Sequence, residues 1–407
     1  MKRKFSLGLF SLISAASASA QGLYYVGSEA QESLPLKWVV GTNVVWDDNI
    51  APGFGPKESS FAINPYVGLS FVNITPQTTW DVYVRLGLVY YFDQPEDTGT
   101  SDVNSQSRAG INVTHRFSER LRFSSRNFIS YELEPDYAYG YASSRQLSEY
   151  FYWQTDNSVG FRWTERFATY TGFSLTGADY GDVDNNNRFT WELYNQARYQ
   201  LGPQTVLTLD YRYAETMDPD GDASDSTDQY LLLGAEHRFS PNTIGIFRVG
   251  AQFRSVDNGD DNISPYAELA LNSQVTQQFS VRAFTRYGIE SYDTVRGTPG
   301  GLAEFSDRRT LRLGVSSEFA LTPTTSIFGG VDYIPAAFRD GNVISGGVPG
   351  PVGDYDENII NAYVGLSVKL NDFLTGSLSY NYTHSDSDFP SQTYNRNRVS
   401  LGLSAEF

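Results

Sequence analysis

The sequence predicts an all-β chain: a transmembrane antiparallel up-and-down β-barrel of about eighteen strands, with sixteen as the alternative. Three observations carry that prediction. Apolar and polar residues alternate along most of the chain, the rhythm of strands with two unlike faces. Very short polar breaks recur along it, and longer stretches rich in Asp, Gly, Pro and Asn fall between them. Composition agrees: 28 Tyr, 26 Phe and 36 Gly stand among 407 residues. Yet no apolar run after residue 20 is long enough for a spanning helix.

The chain starts "MKRKFSLGLFSLISAASASAQG", which reads as a signal peptide over residues 1–20. Lys2, Arg3 and Lys4 form its basic region, Phe5 to Ile13 its short apolar core, and Ala18-Ser19-Ala20 a small-residue cleavage site after Ala20. A short periplasmic segment, 21–36, then precedes a barrel over 37–407. That segment is too short for the plug domain of a TonB-dependent transporter. Removing the three leading cations takes the formal net charge from −17 to about −20, which excludes a general nucleic-acid partner. Zero cysteines exclude disulfides and thiolate metal sites, and no cofactor is expected.

The first strand is expected at 37–47, "KWVVGTNVVWD", and the last at 396–407. In "RVSLGLSAEF", Val399, Leu401, Leu403, Ala405 and Phe407 share one face, and Phe407 is the expected C-terminal signal for the barrel-assembly machinery. "WDVYVRLGLVYYF" sets Trp80, Val82, Val84, Leu86, Leu88 and Tyr90 against Asp81, Tyr83, Arg85 and Gly87. "FSVRAFTRYGIE" sets Arg282, Arg286 and Glu290 opposite Val281, Ala283 and Ile289.

The short breaks are "NITPQT" (73–78), "FSER" (117–120), "WTER" (163–166), "LGPQ" (201–204), "FSPNT" (239–243), "VTQQ" (275–278), "LTPTT" (321–325) and "LNDF" (370–373). Each joins two strands, and one more strand at either end makes the count eighteen. The long connections between them include "MDPDGDASDSTDQ", "VDNGDDN", "TVRGTPGGLAEFSDRR" and "RDGNVISGGVPGPVGDYDEN". A propeller blade would need four short strands per repeat, and only two long ones fit here. Closure supplies the physical reason: in lipid every backbone amide must be paired, and a closed sheet achieves that.

If the apolar set faces lipid, the other set faces the lumen. The expected pore-lining arginines are Arg85, Arg122, Arg126, Arg212, Arg248, Arg254, Arg282, Arg286, Arg308 and Arg312. The expected pore-lining acids are Asp81, Asp210, Glu192, Glu236, Glu268 and Glu290, with Glu132, Asp156 and Glu318 beside them. An Arg or Lys on the lipid side at mid-depth would cost about 2–4 kcal/mol, so the register is strongly constrained. Such charges can cross-link a wide wall, set a transverse field for permeating solutes, or both.

Two long connections could fold inward. One is 134–150, with constriction candidates Asp136, Tyr137, Tyr139, Tyr141 and Arg145; the other is 339–358. "DPDGDASD" only loosely suggests a calcium loop, lacking the closing Glu, and reads as a solvated loop. No catalytic constellation emerges. The word "HRFS" occurs twice, at His115-Arg116-Phe117-Ser118 and His237-Arg238-Phe239-Ser240. Each copy falls where a strand meets a short turn, with Arg inward, His and Phe outward at the rim, and Ser opening the turn. His384 falls near the opposite rim, so no base–nucleophile pair forms, and the chain is not expected to be an enzyme.

The turn signatures in "NITPQTTWDVYVR", "FSPNTIGIFRVGAQFR" and "LTPTTSIFGGVDY" resemble the second family of outer-membrane β-barrel porins, the porin-like barrels. In that family a strand ends in a short Thr/Ser-Pro-x-Thr turn before a long returning strand. The likeness runs over essentially the whole mature chain, although Pro is absent from "FSER", "WTER" and "VTQQ". It implies a large outer-membrane barrel and transfers no ligand residues. The expected function is passive diffusion of small hydrophilic solutes or ions across a Gram-negative outer membrane, by a monomer or homotrimer embedded in outer-membrane lipid. The alternatives are an oligosaccharide- or polysaccharide-selective channel, and a plugged structural or adhesive barrel.

Overall fold

Period-two alternation becomes strand along nearly all of the described chain. The computed structural model describes residues 34–407 apart from 51, 53–56, 94–102, 134–148, 181–186, 220–222, 258 and 391. The strands are β1 (Leu34–Asp47), β2 (Ser60–Ile74), β3 (Thr78–Tyr91), β4 (Val103–Ser105), β5 (Ser107–Arg116), β6 (Leu121–Glu132) and β7 (Tyr150–Arg162). They continue as β8 (Phe167–Tyr180), β9 (Arg188–Gly202), β10 (Thr205–Met217), β11 (Ser226–Ser240), β12 (Thr243–Val256), β13 (Asn262–Gln274) and β14 (Phe279–Ile289). The last are β15 (Val295–Thr298), β16 (Gly301–Thr322), β17 (Thr325–Ser345), β18 (Pro351–Val352), β19 (Tyr355–Lys369), β20 (Leu374–Ser387) and β21 (Tyr394–Glu406).

Each long strand pairs antiparallel with its neighbours in sequence, and β1 closes on β21 from Val39↔Glu406 to Asp47↔Arg398. β4 and β5 both pair with β3 and act as one strand, while β15 and β18 are short additions, so the closed ladder has eighteen strands. At the seam, Trp38 N donates to Phe407 O at 3.0 Å and Phe407 N donates to Trp38 O at 2.8 Å. The Phe407 ring stacks 6.3 Å from Phe373, in the turn between β19 and β20.

Turn chemistry sets the register at the short-turn end. Ser118 Oγ accepts from Arg120 N at 3.2 Å and Leu121 N at 3.0 Å. Thr276 Oγ1 does the same for Gln278 N and Phe279 N at 3.2 and 3.0 Å, and Asn371 Oδ1 for Phe373 N and Leu374 N at 3.0 and 2.8 Å. A short polar side chain at the turn entrance satisfies amides that the reversing chain would leave unpaired. The turn therefore works with or without Pro.

The repeated word builds one geometry twice. The His115 ring sits 4.5 Å from Phe117 at 75°, with its Nδ1 2.7 Å from Thr78 Oγ1. The His237 ring sits 4.7 Å from Phe239, again at 75°, with Nδ1 2.9 Å from Thr205 Oγ1. Phe117 and Phe239 are exposed, each beside the turn that its serine opens. Both histidines belong to the rim.

The outer side carries exposed Trp38, Leu86, Leu209, Leu233, Val249, Val331 and Leu401. Such a belt around a closed sheet matches a lipid surround. On the inner side large aromatics lie over glycines of the next strand. A Cβ at Gly172 would sit 2.0 Å from the Tyr194 ring, and Gly172 and Tyr194 are direct cross-strand partners. Only glycine lets that ring lie flat on the wall.

Two polar stretches expected as loops are largely strand. The polar runs 294–309 and 339–358 contain β15, the start of β16, the end of β17 and the start of β19. β16 and β17 have 22 and 21 residues, about twice what a membrane crossing requires. Beyond the lipid a strand needs no apolar face, so alternation fades there while pairing persists. A local aromatic core holds this extension: Phe305, Phe338 and Phe389 with Ala303 and Ala336, and Tyr355 stacked 4.5 Å from Phe389.

Candidate functional site

The side of the sheet opposite the exposed apolar rows faces the interior, and it is dense with charge. On β9 to β13, Arg198 grips Glu236 with both terminal nitrogens, at 2.8 and 2.5 Å. Arg212 donates to both oxygens of Glu268 at 3.0 and 3.3 Å, and Tyr266 Oη donates to the same carboxylate at 2.6 Å. Arg248, only 2% exposed, joins these groups: it reaches Glu268 at 3.1 Å, Asp210 at 3.5 Å and Glu236 at 3.8 Å. Gln196 donates to Asp210.

A second cluster centres on Glu290. It accepts from Arg286 at 2.8 Å, from Arg308 at 3.2 Å and from Arg312 at 2.6 and 2.8 Å. Arg254 pairs with Asp228 at 2.7 Å. Charges this far from bulk water are tolerated because each meets several partners, and removing one would leave the others uncompensated.

Of the remaining residues expected on this side, Glu192 borders the first cluster near Arg212, and the others lie elsewhere on the wall. Arg85 stacks 3.8 Å over the Tyr66 ring and reaches Asn64 at 3.4 Å. Asp81 accepts from Asn112 at 3.3 Å, and Glu132 from Arg108 at 2.7 Å. Arg122 lies across from Gly160, Arg126 across from Asp156, and Arg282 between Asn272 and Ser316. Glu192 stands between Ser174 and Ala214, and Glu318 between Ser280 and Phe328. Asp136, Tyr137, Tyr139, Tyr141 and Arg145 lie outside the described residues.

A strap crosses the interior, and it comes from neither connection singled out in the sequence. It is the segment that follows β14. Arg188 of β9 donates to Ser291 O at 3.3 Å and to Thr294 Oγ1 at 3.0 Å. Tyr292 Oη lies 3.0 Å from Thr190 Oγ1, and its ring packs on Tyr150, Tyr152, Ala178 and Tyr180 of β7 and β8. Ser291 Oγ also bonds Asp228 at 3.1 Å and accepts from Arg254 at 2.5 Å. In the other direction Arg296, paired with Asp293, lies 5.3 Å over the Phe338 ring of β17. β8 and β14 are six places apart in the barrel order, so these contacts form a chord rather than a path along the wall. Asp293 adopts φ 58°, a left-handed turn that Asp tolerates better than most residues. By contrast, the described part of the connection after β17 stands exposed, with Val348 85% accessible.

Sequence reasoning missed Arg188 and Arg198, although both share the parity of Glu192 and could have been found by extending the alternation along β9. It also missed Tyr292, Asp293 and Arg296, for which alternation offers no signal.

No protein-family model matches this sequence, and no curated protein matches it either. Similar solved structures exist. One is Acinetobacter baumannii OccAB3, at 10% identity and TM-score 0.47 over 91% of this chain and 99% of that one. Another is Pseudomonas aeruginosa OccK2 (OpdF), at 11% and 0.47 over 91% and 97%. A third is the siderophore receptor PirA of Acinetobacter baumannii, at 8% and 0.42 over 91% and 80%.

Proposed function

We propose that this barrel sits in a Gram-negative outer membrane and passes small hydrophilic solutes or ions by passive diffusion. The observation that carries the reading is the contrast of faces. The outer side presents an apolar belt, and the inner side presents arginines, carboxylates, amides and hydroxyls, the arrangement of a wall that meets lipid without and water within. The arginines and acids of the interior are the proposed pore lining. Segment 290–296 is the proposed constriction, because it spans the interior from β14 to β7–β9 and is held by Arg188, Arg254 and Arg308.

Planar-bilayer recording of the purified full-length barrel tests this. Ligand-free conductance is expected, and Tyr292→Ala should raise it by loosening the strap. A salt gradient should give a reversal potential that moves toward anion preference in Glu268→Gln, which frees positive charge on Arg212 and Arg248. A second reading, a plugged barrel serving structure or adhesion, is favoured by the same strap and its many bonds. It requires zero conductance in both the parent and Tyr292→Ala, and that result would sink the channel.

A further inference from the structure

Among the described residues, one patch of the outer surface carries amides at mid-strand. On β6 to β9 the outward row is marked by exposed Ile129, Val159, Phe173 and Leu193. Between these, at the middle of the strands, the same row holds Ser125, Asn127, Thr155, Asn157, Thr171 and Asn195. They are neighbours across the ladder: Ser125 faces Asn157, Asn127 faces Thr155, and Thr171 faces Asn195. Four strands at the usual spacing make the patch roughly 15 Å wide.

These side chains bond one another, but incompletely. Asn127 donates to Ser125 at 3.1 Å, Thr155 donates to Asn127 Oδ1 at 2.7 Å, and Asn157 donates to Thr155 at 2.9 Å. Thr171 donates to Asn195 Oδ1 at 2.7 Å. Among the described residues, that leaves the Asn157 carbonyl oxygen without a donor and the Asn195 amide nitrogen without an acceptor. Elsewhere the outward amides, Asn73, Gln229, Asn358, Asn395 and Asn397, sit near strand ends, where headgroups and water reach them. On the far side of the barrel the mid-strand outward row holds apolar residues such as Val331, Val364, Leu378 and Leu401, with a single hydroxyl at Thr285 and no amide among the described residues.

Acyl chains offer an amide nothing, and lipid headgroups lie at the rims rather than at this depth. What completes the patch must be protein that carries polar groups at the same height. The patch is uncharged and holds a spare acceptor and spare donors. A copy of itself therefore presents the missing partners at the right depth without like-charge repulsion. We infer that the outer face of β6 to β9 packs against a second copy of this chain, with the two amide patches completing each other's hydrogen bonds.

The chain has no cysteine, so a single introduced thiol is unique. Full-length Asn157→Cys, folded in its membrane and treated with a short bis-maleimide, should give covalent oligomers as its main product. Val331→Cys, nearly opposite in the strand order, should give only background. Equal cross-linking by the two, or capture of a different protein by Asn157→Cys, overturns the proposal. Light-scattering mass in lipid nanodiscs gives an independent reading. The parent should run as an oligomer, and the triple variant Asn127→Leu, Asn157→Leu, Asn195→Leu should lose at least tenfold of that population while keeping single-barrel conductance. A monomeric parent, or a triple variant that associates undiminished, also overturns it. If the triple variant does not fold, the cysteine pair decides.

Discussion

The two walls of the interior solve one problem with different chemistry. From β9 to β16 the wall is ionic: arginines bridge carboxylates up to three strands apart, as Arg212 of β10 reaches Glu268 of β13 at 3.0 Å. Roughly half-way round, from β19 through the seam to β2, the mid-height wall is mostly amide and hydroxyl. Asn381 donates to Asn361 at 2.8 Å, Thr383 donates to Asn361 at 3.1 Å, and Asn43 donates to Asn64 at 3.3 Å. Two cations reach that wall among the described residues: Arg398 donates to Asn381 at 3.0 Å, and Arg85 of β3 donates to Asn64 at 3.4 Å. Ion pairs on this side sit toward the strand ends, among them Asp47 with Arg396 above and Lys37 with Glu406 below at the β1–β21 seam. Long side chains meet across several strands and must be charged to make the desolvated reach worthwhile. Short ones meet only their neighbours, so neutral hydrogen bonds suffice.

That comparison can be broken from the ionic side first. Arg248→Met strips three carboxylates of a shared partner and should lower the unfolding free energy by about 3–5 kcal/mol, read by reversible denaturant unfolding in lipid. A loss below about 1 kcal/mol would mean that the ionic wall is better solvated than its burial implies. On the amide wall, Asn361→Leu strands Asn381 and Thr383, and about 1–3 kcal/mol should go in the same assay. If the second loss exceeds the first, the ranking of the walls is wrong.

The rim offers a finer test. Burial alone would raise the Asp48 carboxyl, but the Lys57 ammonium at 2.6 Å and the backbone and side-chain N–H groups of Asn397 outweigh it, so its pKa lies below the ordinary value. A depressed carboxyl stabilises the fold fully above its unfolded pKa, about 4, and loses that contribution as pH falls through the folded value. Asp48→Asn should therefore flatten the acid limb of the stability–pH curve, by under about 1 kcal/mol because Lys57 is exposed to solvent. An unchanged acid limb would count against the seam-rim ion pair.

The smallest effect is expected at the rim, where one word recurs. "HRFS" stands once outside both walls, at the end of β5, and once on the ionic side, in β11. Its geometry is the same in both places, so the rim is indifferent to the wall above it. His115→Tyr with His237→Tyr should change stability by no more than about 0.5 kcal/mol and leave conductance intact. Lost conductance would reopen a role for the pair beyond the girdle.

Legibility followed the range of the interactions. The eight short turns were readable because the turn residues (a Ser, Thr or Asn at the entrance of seven, Gly-Pro in "LGPQ") and a strand on each side are neighbours in sequence. Within a strand, parity assigns an arginine to a face, and extending it along β9 reaches Arg188 and Arg198. The strap was not, because Ser291, Tyr292 and Asp293 look like any polar loop until Arg188 and Thr190, roughly a hundred residues earlier, are brought beside them. The extension of β16 and β17 was misread for a related reason: outside lipid, pairing persists without the alternation that reveals it.

The sequence by itself determined the alternating part of the strands, its facing and the short turns, since a period of two and local turn chemistry act over a few residues. Only the tertiary structure decided which charges meet. Arg396 finds Asp47 across 349 residues because the ladder closes there, and Glu290 gathers Arg286, Arg308 and Arg312 because β14 and β16 lie side by side. Parity states that a charge points inward; closure of the barrel chooses its partner.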